Sequence, residues 1–150
     1  MTLTSLKGWI NTAPVANEGE ALRYDNLRDQ FAANASDVTA IVLLAEDGLK
    51  LCAYGMLEDT ADRVAAACSG LQSLGNALSL AVGGGAAHHH NITLDQGHFV
   101  LTRCGDGSVL IALVRDGGVI SGAIRETVRI ARGFAPQMGT VSRVSSEAAQ

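Results

Sequence analysis

The chain has 150 residues, 47% of them hydrophobic, and a net charge of −4. That is enough for one domain whose core needs no disulfide or metal staple, and the acidic balance speaks against a nucleic-acid surface, which is built from clustered Lys and Arg. Cys52, Cys68 and Cys104 form neither a CxxC pair nor an even set, so reduced, core-filling thiols in a cytoplasmic protein are expected. No segment approaches the ~20 apolar residues that span a bilayer, so direct membrane insertion is not expected.

Residues 1–19 mix Thr, Asn, Gly and Pro14 around Trp9 and Ile10 without a period, and are expected to form a flexible or loosely docked arm. From Glu20 to Asn34, Tyr24, Leu27 and Phe31 recur at i, i+3 and i+7, the spacing of an amphipathic helix. Val38 to Ala45 is apolar on both faces apart from Thr39, as in a strand from the sheet interior. Asp47-Gly48 then supplies a hairpin turn into a second strand ending near Gly55.

The next stretch changes period. Val64, Cys68, Leu71, Gly75, Leu78 and Val82 recur at helical spacing, while Asp62, Ala66, Ser69, Ser73 and Asn76 form an opposite, small and polar stripe. Asp59 or Thr60 is expected to cap this long helix and Gly83 to stop it. Three strand-like segments follow at 87–95, 98–104 and 108–115, joined by tight turns at Gln96-Gly97 and at 105–107. A last helix places Ile120, Ile124, Val128 and Ala131 on one face and Arg125, Arg129 and Arg132 on another. It is expected to close near Pro136, before a polar tail at 139–150. The fold class is therefore α/β, of the α+β kind. One five-stranded, mostly antiparallel sheet is sandwiched by helices in the order α-β-β-α-β-β-β-α.

Two features invite a chemical reading. Gly83, Gly84 and Gly85 follow a helix, where carbonyls rather than N–H groups are left over, and no Lys-Ser/Thr pair comes after them, so they end a helix rather than cradle a phosphate. In the histidine run, His88 and His90 share a strand face with Ile92 and Leu94, whereas His89 shares the other with Asn91 and Thr93. Three alternating histidines do not converge on one metal. Even with His98 as a distant third ligand beside His88 and His90, no acidic or cysteine ligand is positioned, so neither a metal nor a cofactor is expected. Ser69 has no neighbouring base, and Glu46, Asp47, Asp95, Asp106 and Asp116 all fall at turns, where Asp serves the backbone. No catalytic residue is expected, and the chain reads as a non-enzyme.

The stretches "IVLLAEDGLKL" and "DTADRVAAACSGLQSLG", the triple-glycine helix exit, the strand before Asp95 and "FVLTRCGDGSVLIALV" with its following helix resemble a Roadblock domain over roughly residues 20–138. This profilin-like family is shared by a class of dynein light chains and by bacterial regulators of Ras-like GTPases. The wording is most similar to the actinobacterial version, encoded beside a small GTPase and a histidine-kinase-like membrane protein. The resemblance implies a homodimer in which the third strand pairs with its twofold mate and the long helices lie side by side. His88, His90, Ile92, Leu94, Leu71, Leu74 and Leu78 would then line the interface. It further implies a regulator or scaffold for a Ras-like small GTPase, bound through Asp62, Arg63, Ser69, Ser73 and Asn76. The alternative is a structural adaptor linking the membrane kinase-like protein to other partners without effect on GTP turnover. Histidines near a twofold axis would meet their own copies, so a dimer weakened by protonation is a further expectation.

Overall fold

The computed structural model describes residues 9–105 and 107–148, with side chains as far as Met138. Its elements are α1 (Glu18–Asn34), β1 (Val38–Leu44), β2 (Lys50–Tyr54), α2 (Glu58–Val82), β3 (His89–Leu94), β4 (Gly97–Arg103), β5 (Val109–Val114) and α3 (Ile120–Ala148). The strands form one antiparallel sheet in the order β2-β1-β5-β4-β3. This is the expected element order. The apolar β1 is interior and almost wholly buried, as its two-faced hydrophobicity requires.

Helices cover both faces. On one, α1 and α3 pack Tyr24, Leu27, Phe31, Ile130 and Phe134 against Ile41, Leu43, Val100 and Leu110. On the other, Ala61, Ala65 and Cys68 of α2 pack against Val42, Leu44, Ala53, Leu101 and Ile111. The three thiols are free and buried. Loss of hydration pushes Cys68 up to about 11 and Cys104 to about 12, and Cys52 is pushed up as well, so all three stay protonated at neutral pH.

The glycines act as turn residues. Gly48, at the β1–β2 hairpin, has φ +85°, and Gly83 leaves α2 in the left-handed conformation at φ +66°. The Gly84 N–H donates to the Ser79 carbonyl at 2.9 Å, so the carbonyls left over at the helix end are partly satisfied by the glycine stop itself.

Several boundaries differ from the sequence expectation. Helix α1 starts earlier because Asn17 caps it: its side chain accepts from the Glu20 N–H at 2.9 Å while Glu20 Oε2 accepts from the Ala16 N–H at 2.8 Å. Neither Asp59 nor Thr60 caps α2, which begins at Glu58 with Leu57 at the cap position and no side-chain cap. The β3–β4 turn falls at Asp95-Gln96, since Leu94 already pairs with Gly97.

Helix α3 does not close near Pro136. It continues to Ala148 with Pro136 inside it, where the ring forfeits one i→i−4 hydrogen bond and crowds the preceding turn. Its buried face runs through Ala123, Thr127, Ile130, Ala131, Phe134 and Met138, so it contains the expected Ala131 and has the expected Ile120 and Ile124 packed at its edge. Thr127 sits in that apolar face because its hydroxyl donates to the Ala123 carbonyl at 2.7 Å.

The N-terminal arm is tied down where it is described. The Thr12 N–H donates to the Ala53 carbonyl at 2.9 Å, and the Ala53 N–H donates to Asn11 Oδ1 at 2.9 Å. Trp9 packs against the α1/α3-side core, and a Cβ built on Gly55 would meet its ring. The Trp9 carbonyl also accepts from Arg28 at 2.7 Å. Residues 9–13 therefore dock on β2, held by contacts from residues some forty positions away that composition does not reveal.

Candidate interaction surface

Helix α2 is 25 residues long, yet its buried residues all lie in its first half. Ala61, Ala65 and Cys68 are buried, and Val64 and Leu71 pack against the same core from its edge. The helix docks through this small-residue stripe because Ala61 and Ala65 allow close approach to β1 and β2. The expected apolar face therefore does not stay buried along its full length. Beyond Leu71 its large apolar residues are uncovered: Leu74 is 64% exposed, Leu78 71% and Val82 80%. A row of large apolar residues on one helix, left open to water, is a surface in want of a partner.

Strand β3 lies beside this row. It is an edge strand: β4 pairs with it on one side, and no described segment pairs with the other. Ile92 packs against the α2-side core and Leu94 remains 43% exposed. His90 faces α2, where its ring lies so close over Gly75 that a Cβ there would collide with it. Its Nε2 is 3.2 Å from Gln72 Oε1, which fixes the ring between strand and helix. Glycine at position 75 is what lets β3 and α2 approach here.

His88 precedes the strand and is exposed, contributing through its carbonyl, which accepts from the Arg103 N–H at 2.9 Å. His89 is exposed as well, and His98 is paired with Thr93 on the opposite side of the hairpin. Among the described residues no three His, Cys, Asp or Glu side chains come together as metal ligands. Of the expected interface set, Leu74, Leu78, Leu94, Ile92 and His90 thus share one side of the molecule, Leu71 forms the rim of the core beneath them, and His88 stands apart.

The expected partner-binding residues divide into two groups. Asp62 is bound within the chain, its Oδ1 lying 2.7 Å from the Lys50 ammonium in an ion pair that ties α2 to β2. Lys50 is nearly buried, so this carboxylate balances a charge that water cannot reach. Arg63 is exposed on the next position of the helix. Ser69, Ser73 and Asn76 lie further along and line a cavity of about 410 Å³ between α2 and the two hairpin turns. Arg103, also in that lining, was not singled out in the sequence. Asp106 lies outside the described residues. On α3, Arg125, Arg129 and Arg132 are exposed, and Arg129 pairs with Glu126 at 2.8 Å.

No helix among the described residues is long and apolar enough to cross a membrane. No match is found among curated proteins. Among solved structures, a Roadblock/LC7 domain from Streptomyces avermitilis is 29% identical, with 68% of this chain and 86% of that one covered at a TM-score of 0.63. Myxococcus xanthus MglB shares the fold at 11% identity, with 85% and 96% covered and a TM-score of 0.73. An MglB solved with a tetrameric arrangement does so at 12% identity, with 85% and 96% covered and a TM-score of 0.68. The family model of the Roadblock/LC7 domain matches residues 24–114, a span that runs from the middle of α1 to the end of β5, and the chain belongs to that family.

Proposed function

We propose that the protein is a non-enzymatic homodimer that binds a Ras-like small GTPase and modulates its nucleotide cycle. The observation that carries this reading is the open β3 edge beside the exposed row Leu74, Leu78 and Val82. An unpaired edge and an apolar helix row on one side of a molecule are satisfied together when a twofold copy extends the sheet and lays its own helix alongside. Family membership supports the same arrangement, and MglB, which shares the fold, has been solved as a tetramer.

In that dimer β3 meets β3 of the second copy, with Ile92, Leu94, Leu74 and Leu78 at the junction. The two α2 helices form a platform, and Arg63, Ser69, Ser73 and Asn76 offer polar contacts for the GTPase. The role is one of shape rather than chemistry. The three thiols are buried and protonated, and Ser69 has no described base bonded to it.

The experiment is a pulldown of the GTPase, loaded with GDP or with a GTP analogue, by the full chain, alongside sedimentation of the chain alone. A species of twice the 15.5 kDa chain mass and nucleotide-dependent capture are expected. Capture that ignores the nucleotide would favour a passive adaptor between a membrane kinase-like protein and other partners. Absence of capture in both states would overturn the GTPase reading.

A further inference from the structure

The cavity beside α2 has a composition that the partner-binding role does not explain. Ser69, Gln72, Ser73 and Asn76 stand at i, i+3, i+4 and i+7, so one stripe of the helix presents two hydroxyls and two amides to a single space. The floor is apolar, made by the buried Leu44 and Val109. Three charged residues complete the wall: Arg103, the last residue of β4, and Glu46 and Asp47, in the turn after β1.

Neither Arg103 nor Glu46 has a side-chain partner among the described residues: the guanidinium and the carboxylate make no ion pair or side-chain hydrogen bond there. The neighbouring Asp47, by contrast, is occupied with its own turn, its Oδ1 accepting from the Leu49 N–H at 3.0 Å. Both turn glycines shape the space. A Cβ on Gly107 would lie 2.7 Å from Glu46 Cγ, so glycine lets the Glu46 side chain lie across the β4–β5 turn. A Cβ on Gly48 would lie 2.8 Å from Ser69 Oγ, so the β1–β2 turn approaches the helix only without a side chain.

We propose that this cavity binds a small zwitterion of the amino-acid class, with its carboxylate on Arg103 and its ammonium on Glu46. The charges select this class. A simple anion would bring its charge towards Glu46, and a simple cation would bring its charge towards Arg103, whereas a ligand carrying both signs satisfies both ends. Guanidinium binds carboxylate through two parallel hydrogen bonds, which also orients the ligand. The hydroxyls and amides of α2 then serve a polar ligand body, and Leu44 with Val109 accepts its short apolar part. The volume of about 410 Å³ falls within the roughly 300–1,000 Å³ of small-molecule sites. The proposal does not rest on the GTPase reading. Arg103 and Glu46 lie outside the expected partner-binding set, so either reading can fail alone.

The test uses the full chain. Its thermal melting is followed with each common amino acid at millimolar concentration, and any amino acid that raises the midpoint is then measured by calorimetry. That ligand is compared with the matching acid that lacks the amine and the matching amine that lacks the acid. At least one amino acid is expected to bind, with both half-analogues weaker. Arg103→Gln and Glu46→Gln are each expected to weaken binding roughly tenfold or more while melting like the parent without ligand. The two variants remove opposite charges from the lining, so one folded variant suffices. Absence of any stabilising amino acid, a half-analogue that binds as well, or variants that bind like the parent would each overturn the proposal.

Discussion

The two edges of the sheet are finished differently. At β2, the outward N–H and C=O of Ala53 are taken by Asn11 and Thr12, and Trp9 lies over Gly55. At β3, no described segment pairs with the outer side of residues 89–94, and the exposed leucines of α2 stand beside it. Edge strands attract other chains unless something blunts them. A segment of the chain itself covers one edge, and among the described residues the other is uncovered, which is why the proposed second copy is placed at β3.

The strongest way to break this comparison is on the β3 side. Leu74→Glu combined with Leu78→Glu removes two apolar contacts of about 1.5–3 kcal/mol each, so the dimer dissociation constant is expected to rise by about 100-fold or more. Sedimentation measures it. Because both leucines are exposed in the single chain, monomer stability is expected to change by less than about 0.5 kcal/mol. A variant that stays dimeric would move the interface elsewhere.

The β2 side is tested by Gly55→Ala. Gly55 has φ +86°, and an added Cβ would collide with the Thr39 carbonyl as well as with the Trp9 ring. A loss of about 2–4 kcal/mol in urea unfolding is expected, in the class of backbone strain at a special φ combined with overpacking. Trp9 is the only tryptophan, so its fluorescence should shift to longer wavelength as the arm leaves its seat. Unchanged fluorescence and stability would show that the arm does not need this seat.

A smaller effect sharpens the account of how α3 is joined to the sheet. Asp37 accepts from the Val119 N–H at 2.9 Å and from Arg115 Nε at 2.8 Å, and these bonds, the backbone one foremost, hold its carboxyl below the usual range. A carboxyl whose folded pKa is depressed stabilises fully above its unfolded pKa, and that contribution is lost as pH falls through the folded value. Asp37→Asn is therefore expected to cost about 1 kcal/mol at neutral pH, kept modest because Arg115 is half exposed, with the gap to the parent closing in acid. Chemical unfolding at neutral and acid pH measures it. The smallest effect belongs to the arm: Asn11→Ala is expected to cost about 0.5–1 kcal/mol by removing the acceptor for the Ala53 N–H.

What the sequence made legible was local. Period-2 and period-3.6 patterns placed the strands and helices, and glycines at 48, 83 and 107 marked turns because positive φ leaves few other choices. What it hid was set by distant pairs. Trp9 finds Gly55, Asp62 finds Lys50, and His90 finds Gly75 only once the sheet exists. The apolar face of α2 was visible, but not that it is uncovered after Leu71, since an exposed leucine and a buried core leucine obey the same spacing. The cavity was hidden for the same reason, because Arg103 and Ser69 belong to elements that only the topology brings together.

In the proposed dimer, β3 is the associating edge. Amide hydrogen exchange, followed strand by strand at high and at low protein concentration, tests it most directly. Residues 89–94 are expected to gain protection as the chains associate, while the amides of β2 keep the same protection at both concentrations. Protection that rises at β2 and stays flat at β3, or that is independent of concentration at both edges throughout a range in which mass doubles, would contradict it.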